Sequence, residues 1–140
     1  MNSESHDEAH RRLRKAMLSM LLADDDDSLR DSLVAFFNDQ GFKVFPARTG
    51  TEAVEIAVAE KISFSIMDIN MPGLTGIEAY KSIESEIGML PCIFMSGDTS
   101  QDLLIKVMEA GGFSFLRKPI RIDHMRRSVD QLIDKFFKTR

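Results

Sequence analysis

The chain has 140 residues, 44% of them hydrophobic and 29% charged, with a formal net charge of −4 at pH 7; that supports one core of ordinary domain size, and excludes a disordered chain or one built chiefly to hold nucleic-acid backbone. The only cysteine, Cys92, permits no intrachain disulfide, so a reducing, cytoplasmic setting is expected. No run approaches the roughly 18 apolar residues of a membrane span and no signal-peptide stretch opens the chain, so no membrane association is expected.

Residues 1–16 mix Glu4, Asp7 and Glu8 with Arg11, Arg12, Arg14 and Lys15, while Ala9, Leu13, Ala16 and Met17 recur at helical spacing. They read as an N-terminal extension, frayed or helical, ahead of a domain over 17–140. Residues 17–23 form a short apolar run ending in four aspartates, the pattern of a buried parallel strand whose end emerges into solvent. Runs at 62–67, 92–95 and 113–116, with a weaker one at 42–45 carrying Lys43 and closed by Pro46, make five expected strands.

Helical periodicity fills the intervals and the C-terminal end: Leu29, Leu33, Phe36 and Phe37; Ala53, Ile56 and Ala57; Ile77, Tyr80 and Ile83; Leu103, Leu104, Val107 and Met108; then Ile122, Met125, Val129, Leu132, Ile133 and Phe136. Thr49-x-x-Glu52 and Thr75-x-x-Glu78 read as capping boxes, Asp27 as a helper in capping the first of these five helices, and Gly41 and Gly88 as helix ends. Alternating strands and helices of these lengths demand right-handed crossovers, which place helices on both faces of a parallel sheet. The expected fold is α/β, a (βα)5 doubly wound five-stranded sheet.

Ligands of such sheets collect beyond the carboxyl ends of the strands. Here the first strand ends in Asp24 and Asp25, the third in Asp68 and the fourth in Ser96, and the fifth is followed by Lys118. Crowded carboxylates repel one another unless a cation sits among them, and hard oxygen ligands suit Mg²⁺. With a lysine alongside, the rim points to phosphoryl chemistry. Taken singly, Asp26 and Asp27 read as a solvated turn, Ser96 as a turn residue before Gly97, Asp98, Thr99 and Ser100, and Lys118 as a surface lysine. Their joint placement carries the inference.

Four segments bear a family resemblance: L-L-A-D-D-D-D-S-L-R from Leu21, S-I-M-D-I-N-M-P-G-L-T-G from Ser65, P-C-I-F-M-S-G from Pro91 and G-G-F-S-F-L-R-K-P from Gly111. Over residues 17–138 the sequence resembles the receiver domain of bacterial two-component response regulators, which includes the chemotaxis response regulator. The resemblance implies strand order 2-1-3-4-5. It also implies that Asp68 accepts a phosphoryl group from a phosphohistidine on a sensor histidine kinase or histidine phosphotransfer protein. Asp25 would hold Mg²⁺ directly, Asp24 largely through water, and Asn70 through its backbone carbonyl, with Asp68 itself in the metal set. Lys118 and the Ser96 hydroxyl would serve the transferred group, Ser96 and Phe115 would form the switch, and Asn70 and Asp98 would flank the attacking water and tune dephosphorylation. A cis peptide before Pro119 is implied as well. Phe115 stands where the chemotaxis protein has tyrosine, and it also reads as an ordinary core phenylalanine. Met71, Pro72, Gly73 and Gly76 would shape the loop beside the site.

Three other readings were open on the sequence. A D-x-D phosphatase fails at Asn70, since an amide cannot protonate a leaving group. A calcium loop from Asp24 fails at Leu29 and Ala35, where glycine and glutamate are needed. A phosphorylation-independent docking module is the remaining alternative, although such modules typically lose an acid or the lysine. After the last helical segment only Lys138, Thr139 and Arg140 remain, so DNA binding is expected only if the chain is a fragment. The face made by the fourth helical segment, fifth strand and fifth helical segment, with Ile105, Arg121, Arg126 and Arg127, is expected to meet a downstream protein or a second copy.

Overall fold

The computed structural model describes residues 3–98 and 100–137; Thr99, Lys138, Thr139 and Arg140, which entered the reading of the site loop and of the C-terminal end, lie outside the described residues. In chain order the elements are α1 (Ser3–Ala16), β1 (Ser19–Ala23), α2 (Asp27–Gln40), β2 (Lys43–Ala47), α3 (Gly50–Ala59), β3 (Phe64–Asp68), α4 (Gly76–Ile87), β4 (Cys92–Ser96), α5 (Gln101–Ala110), β5 (Ser114–Arg117) and α6 (Ile122–Phe136). The five helical segments of the sequence are α2 to α6, and α1 is the N-terminal extension.

All strand pairs are parallel and the sheet runs β2-β1-β3-β4-β5, the order implied by the resemblance. Because successive side chains of a strand point to opposite faces, each strand feeds two cores. Leu21, Ala23, Met67, Cys92 and Phe94 pack with Ala53 and Ala57 of α3, Ala79, Tyr80 and Ile83 of α4 and Val107 of α5. Met20, Leu22, Phe64, Ile66, Ile93 and Met95 pack with Leu33 and Phe37 of α2 and Met125, Val129, Leu132 and Ile133 of α6. Burial on both faces explains why β1, β3 and β4 read as nearly continuous apolar runs. Among the described residues no helix is long and apolar enough to cross a membrane.

Several boundaries differ from the sequence reading. β1 begins at Ser19, because the Met17 N–H bonds the Arg14 carbonyl at 3.2 Å and closes α1, leaving the Met17 side chain 84% exposed. β2 runs through Pro46 instead of stopping before it. The Lys43 N–H and the Ala47 carbonyl face β1, bonding the Leu18 carbonyl and the Asp24 N–H. By alternation the Pro46 nitrogen faces the open edge, where a missing N–H costs no ladder bond.

Capping follows the sequence with two corrections. The Thr75 hydroxyl accepts from the Glu78 N–H at 3.2 Å while Glu78 accepts from the Thr75 N–H at 3.0 Å, a complete box. At α3, however, Thr49 caps Glu52 but the Glu52 carboxylate accepts from the Arg48 N–H, so that box is half formed. At α2 the capping side chain is Asp26, which accepts from the Leu29 N–H at 3.2 Å, and not Asp27. Gly41 ends α2 at φ 107°, a left-handed conformation that favours glycine.

Candidate functional site

Two strand ends deliver the acidic groups. β1 ends into Asp24 and Asp25, and β3 ends on Asp68; one carboxylate oxygen from each lies within 4.8 Å of the others. Asp24 is fully buried and Asp68 is 2% exposed, whereas Asp25 faces solvent. The loop after β5 brings Lys118 to them: its Nζ lies 3.0 Å from Asp68 Oδ2 and 3.1 Å from Asp24 Oδ2. The Lys118–Pro119 peptide is cis, as the resemblance implied.

The remaining bonds fix these carboxylates in place. Asp24 Oδ1 accepts from the Asp26 N–H at 2.9 Å, and Asp68 Oδ1 accepts from the Asn70 N–H at 3.1 Å. Lys118 donates to Asp24 Oδ1 at 3.4 Å; its ammonium is closer to Asp24 Oδ2, but the direction of approach makes no hydrogen bond there, and this buried oxygen has no donor among the described residues. Asp25 makes no polar contact that would compete for a ligand among the described residues. One buried acid with an unfilled oxygen, one solvent-facing acid and a third on the neighbouring strand form a donor set of hard oxygens that fits a small divalent cation such as Mg²⁺.

Electrostatics carry the same mark. Burial pushes the Asp68 carboxyl up to about 6, with the Asp24 charge adding to the rise and Lys118 opposing it. For Lys118, burial works toward a lower value, yet the bonds to Asp68 and Asp24 outweigh it and hold its proton more firmly than usual. A carboxyl whose folded value is raised contributes stability that is complete below the unfolded value of 3.8 and is lost as pH rises through about 6. Without divalent cations, Asp68→Asn is therefore expected to melt several degrees above the wild-type chain at pH 7.5, and this advantage is expected to vanish by pH 4. Thermal unfolding across that range checks it, and a pH-independent advantage would contradict the charge argument.

β4 supplies Ser96, fully buried, whose Oγ accepts from the Asp98 N–H and from Asn70 Nδ2, both at 3.0 Å. Asn70 is exposed at the start of the β3–α4 loop. Asp98 accepts from the Ser100 N–H at 2.9 Å, and Ser100 caps α5 through the Leu103 N–H. Phe115 on β5 is half-buried and packs against the core cluster on the α3, α4 and α5 face. Met71 is buried beside the site and Gly73 has φ 77°. Gly76 opens α4 so close to β3 that an added Cβ would lie 2.9 Å from the Ile69 Cα, and it would also meet the Asp68 carbonyl. Asp68 is thus locked against α4 at a position only glycine fits.

Arg30 was not picked out by sequence reasoning. Its guanidinium is buried, with Nη1 bonded to the Asp24 carbonyl at 2.9 Å and Nη2 to Asp27 Oδ1 at 2.6 Å. One cation thereby ties down a loop of four consecutive acids and offsets their mutual repulsion. The available signal was the i, i+3 spacing of Asp27 and Arg30 in the first turn of α2.

This arrangement sits on a chain that matches the family described as the response regulator receiver domain over residues 20–130. The chain belongs to that family. Among solved structures, the receiver domain resembles chemotaxis protein CheY4 of Vibrio cholerae, with a TM-score of 0.77, 26% identity and coverage of 83% of this chain and 98% of that one. Among curated proteins it is 28% identical to sporulation initiation phosphotransferase F of Bacillus subtilis (strain 168) over 114 residues, which is 81% of this chain and 92% of that protein. A cyclic di-GMP phosphodiesterase of Thermotoga maritima is 26% identical over 112 residues, 80% of this chain, and the receiver domain spans only 30% of that enzyme's length.

Proposed function

We propose that this receiver domain accepts a phosphoryl group on Asp68 from the phosphohistidine of a sensor histidine kinase or histidine phosphotransfer protein, and passes the signal on by a change of conformation. The observation that carries the reading is the meeting of Asp68, Asp24, Asp25 and Lys118 at one rim, with a buried acid oxygen left without a donor. In the transfer, an Asp68 carboxylate oxygen forms a bond to phosphorus as the bond to the donor's leaving group breaks in line. Asp68 keeps the group as an acyl phosphate.

The residues divide the work. Asp25 would hold Mg²⁺ directly, Asp24 through water, and the Asn70 carbonyl and Asp68 would complete the protein's share. Bound there, the ion would neutralise charge on the equatorial oxygens. Lys118 offers its ammonium to the same oxygens, and its present contact with Asp68 Oδ2 shows that it reaches the acceptor. Ser96 would donate its hydroxyl to the phosphoryl group in the active conformer, with Phe115 turning inward as it moves. The α5–β5–α6 face would then meet a downstream protein. With acetyl phosphate and Mg²⁺ the chain is expected to gain the mass of one phosphoryl group, and with a chelator to gain none. Labelling that is equal with the chelator present would remove the metal from the account.

The lifetime of the acyl phosphate depends on water arriving in line opposite the bond to Asp68. Asn70 and Asp98, each two residues beyond a site residue, would flank that route. Both are exposed and polar, so neither closes it. Asn70→Met is expected to lengthen the lifetime several-fold, read as phosphate release after the donor is removed. A faster release from the variant would place the water route elsewhere.

A further inference from the structure

The Ser96 hydroxyl is held by two donors of different kinds. The Asp98 N–H belongs to the loop that continues from β4 and travels with Ser96. Asn70 Nδ2, 3.0 Å away, comes from the end of another strand, 26 residues earlier in the chain. Asn70 is itself anchored, since its backbone N–H bonds Asp68 Oδ1 at 3.1 Å. One residue thus ties the acceptor carboxylate through its backbone and the switch hydroxyl through its side chain. Both bonds occupy lone pairs of Oγ and leave its proton free to donate, so a movement of Ser96 away from the amide and toward a phosphoryl group gives up the Asn70 contact while the hydroxyl donates to the phosphoryl oxygens.

We propose that the Asn70 side-chain amide is a positioning group for the switch: it holds Ser96 in the resting arrangement and so sets how readily the receiver enters the active one. This rests on the phosphoacceptor reading above and goes beyond the role of Asn70 beside the water route. A contact made only in the resting conformer stabilises that conformer by the net worth of one hydrogen bond. Losing it raises the population competent to bind a phosphoryl mimic, and apparent affinity rises in proportion. Because Asn70 is exposed, water competes for its amide, and the expected effect is about threefold.

The test is a double-mutant cycle read with beryllium fluoride and Mg²⁺ as the acyl-phosphate mimic. Asn70→Ala is expected to tighten mimic binding about threefold relative to the wild-type chain. It is also expected to move the Phe115 amide resonance of the unliganded protein toward its mimic-bound position. In a Ser96→Ala background, which has no hydroxyl to hold, Asn70→Ala is expected to change neither quantity. Equal tightening in both backgrounds would show that the amide acts by opening the site and would overturn the proposal, as would no tightening in either. A wild-type chain that does not bind the mimic would overturn the phosphoacceptor reading itself, an outcome distinct from a wild-type chain that binds and an Asn70→Ala variant that binds no better.

Discussion

Asp68→Asn is expected to abolish phosphoryl uptake from acetyl phosphate, leaving the intact mass unchanged after incubation with donor and Mg²⁺. The amide is nearly isosteric and its single oxygen can keep one of the two bonds, to the Asn70 N–H or to Lys118, which in the wild-type chain meet different carboxylate oxygens. It lacks the nucleophilic oxygen that must bond to phosphorus. At neutral pH the wild-type carboxyl, though raised to about 6 by burial and Asp24, is mostly ionised and therefore competent to attack. Full labelling of the variant would show that another carboxylate is the acceptor, and the exposed Asp25 would be the first alternative.

Lys118→Ala is expected to slow phosphoryl uptake about 10²- to 10³-fold, the usual cost of removing one positioned donor from a group that gains charge in the transition state. The same substitution removes the only cation 3.0 to 3.1 Å from Asp68 and Asp24 among the described residues. The carboxylates then repel each other without relief, so Mg²⁺ affinity is expected to hold or rise while the rate falls. Opposite signs in the two measurements separate a loss of transition-state stabilisation from a collapse of the site. If titration shows Mg²⁺ binding lost together with the rate, the lysine's role is structural.

Much of this was legible in the sequence because the sheet is buried on both faces. Apolar runs ending in Asp24, Asp68 and Ser96 mark strands and rim at once, since only a strand end can bring an acid out of such a core. Pro46 hid the true end of β2, because a proline stops a central strand but not the outward positions of an edge strand. The contact of Asn70 with Ser96 could not be read either: the two are 26 residues apart, and only the pairing of β3 with β4 brings their ends together. Arg30 escaped for a related reason. Its bond to the Asp24 carbonyl is made to backbone, and backbone geometry leaves no trace in residue type.

The acceptor itself is open to direct chemical identification, because borohydride cleaves an acyl phosphate and reduces the carbonyl, turning the modified aspartate into homoserine. After acetyl phosphate and Mg²⁺, reduction followed by peptide mapping is expected to place homoserine at position 68 and to leave positions 24 and 25 as aspartate. Homoserine at either of those positions, or an unmodified Asp68 in protein that has gained a phosphoryl group, would contradict the assignment of Asp68 as the phosphoacceptor.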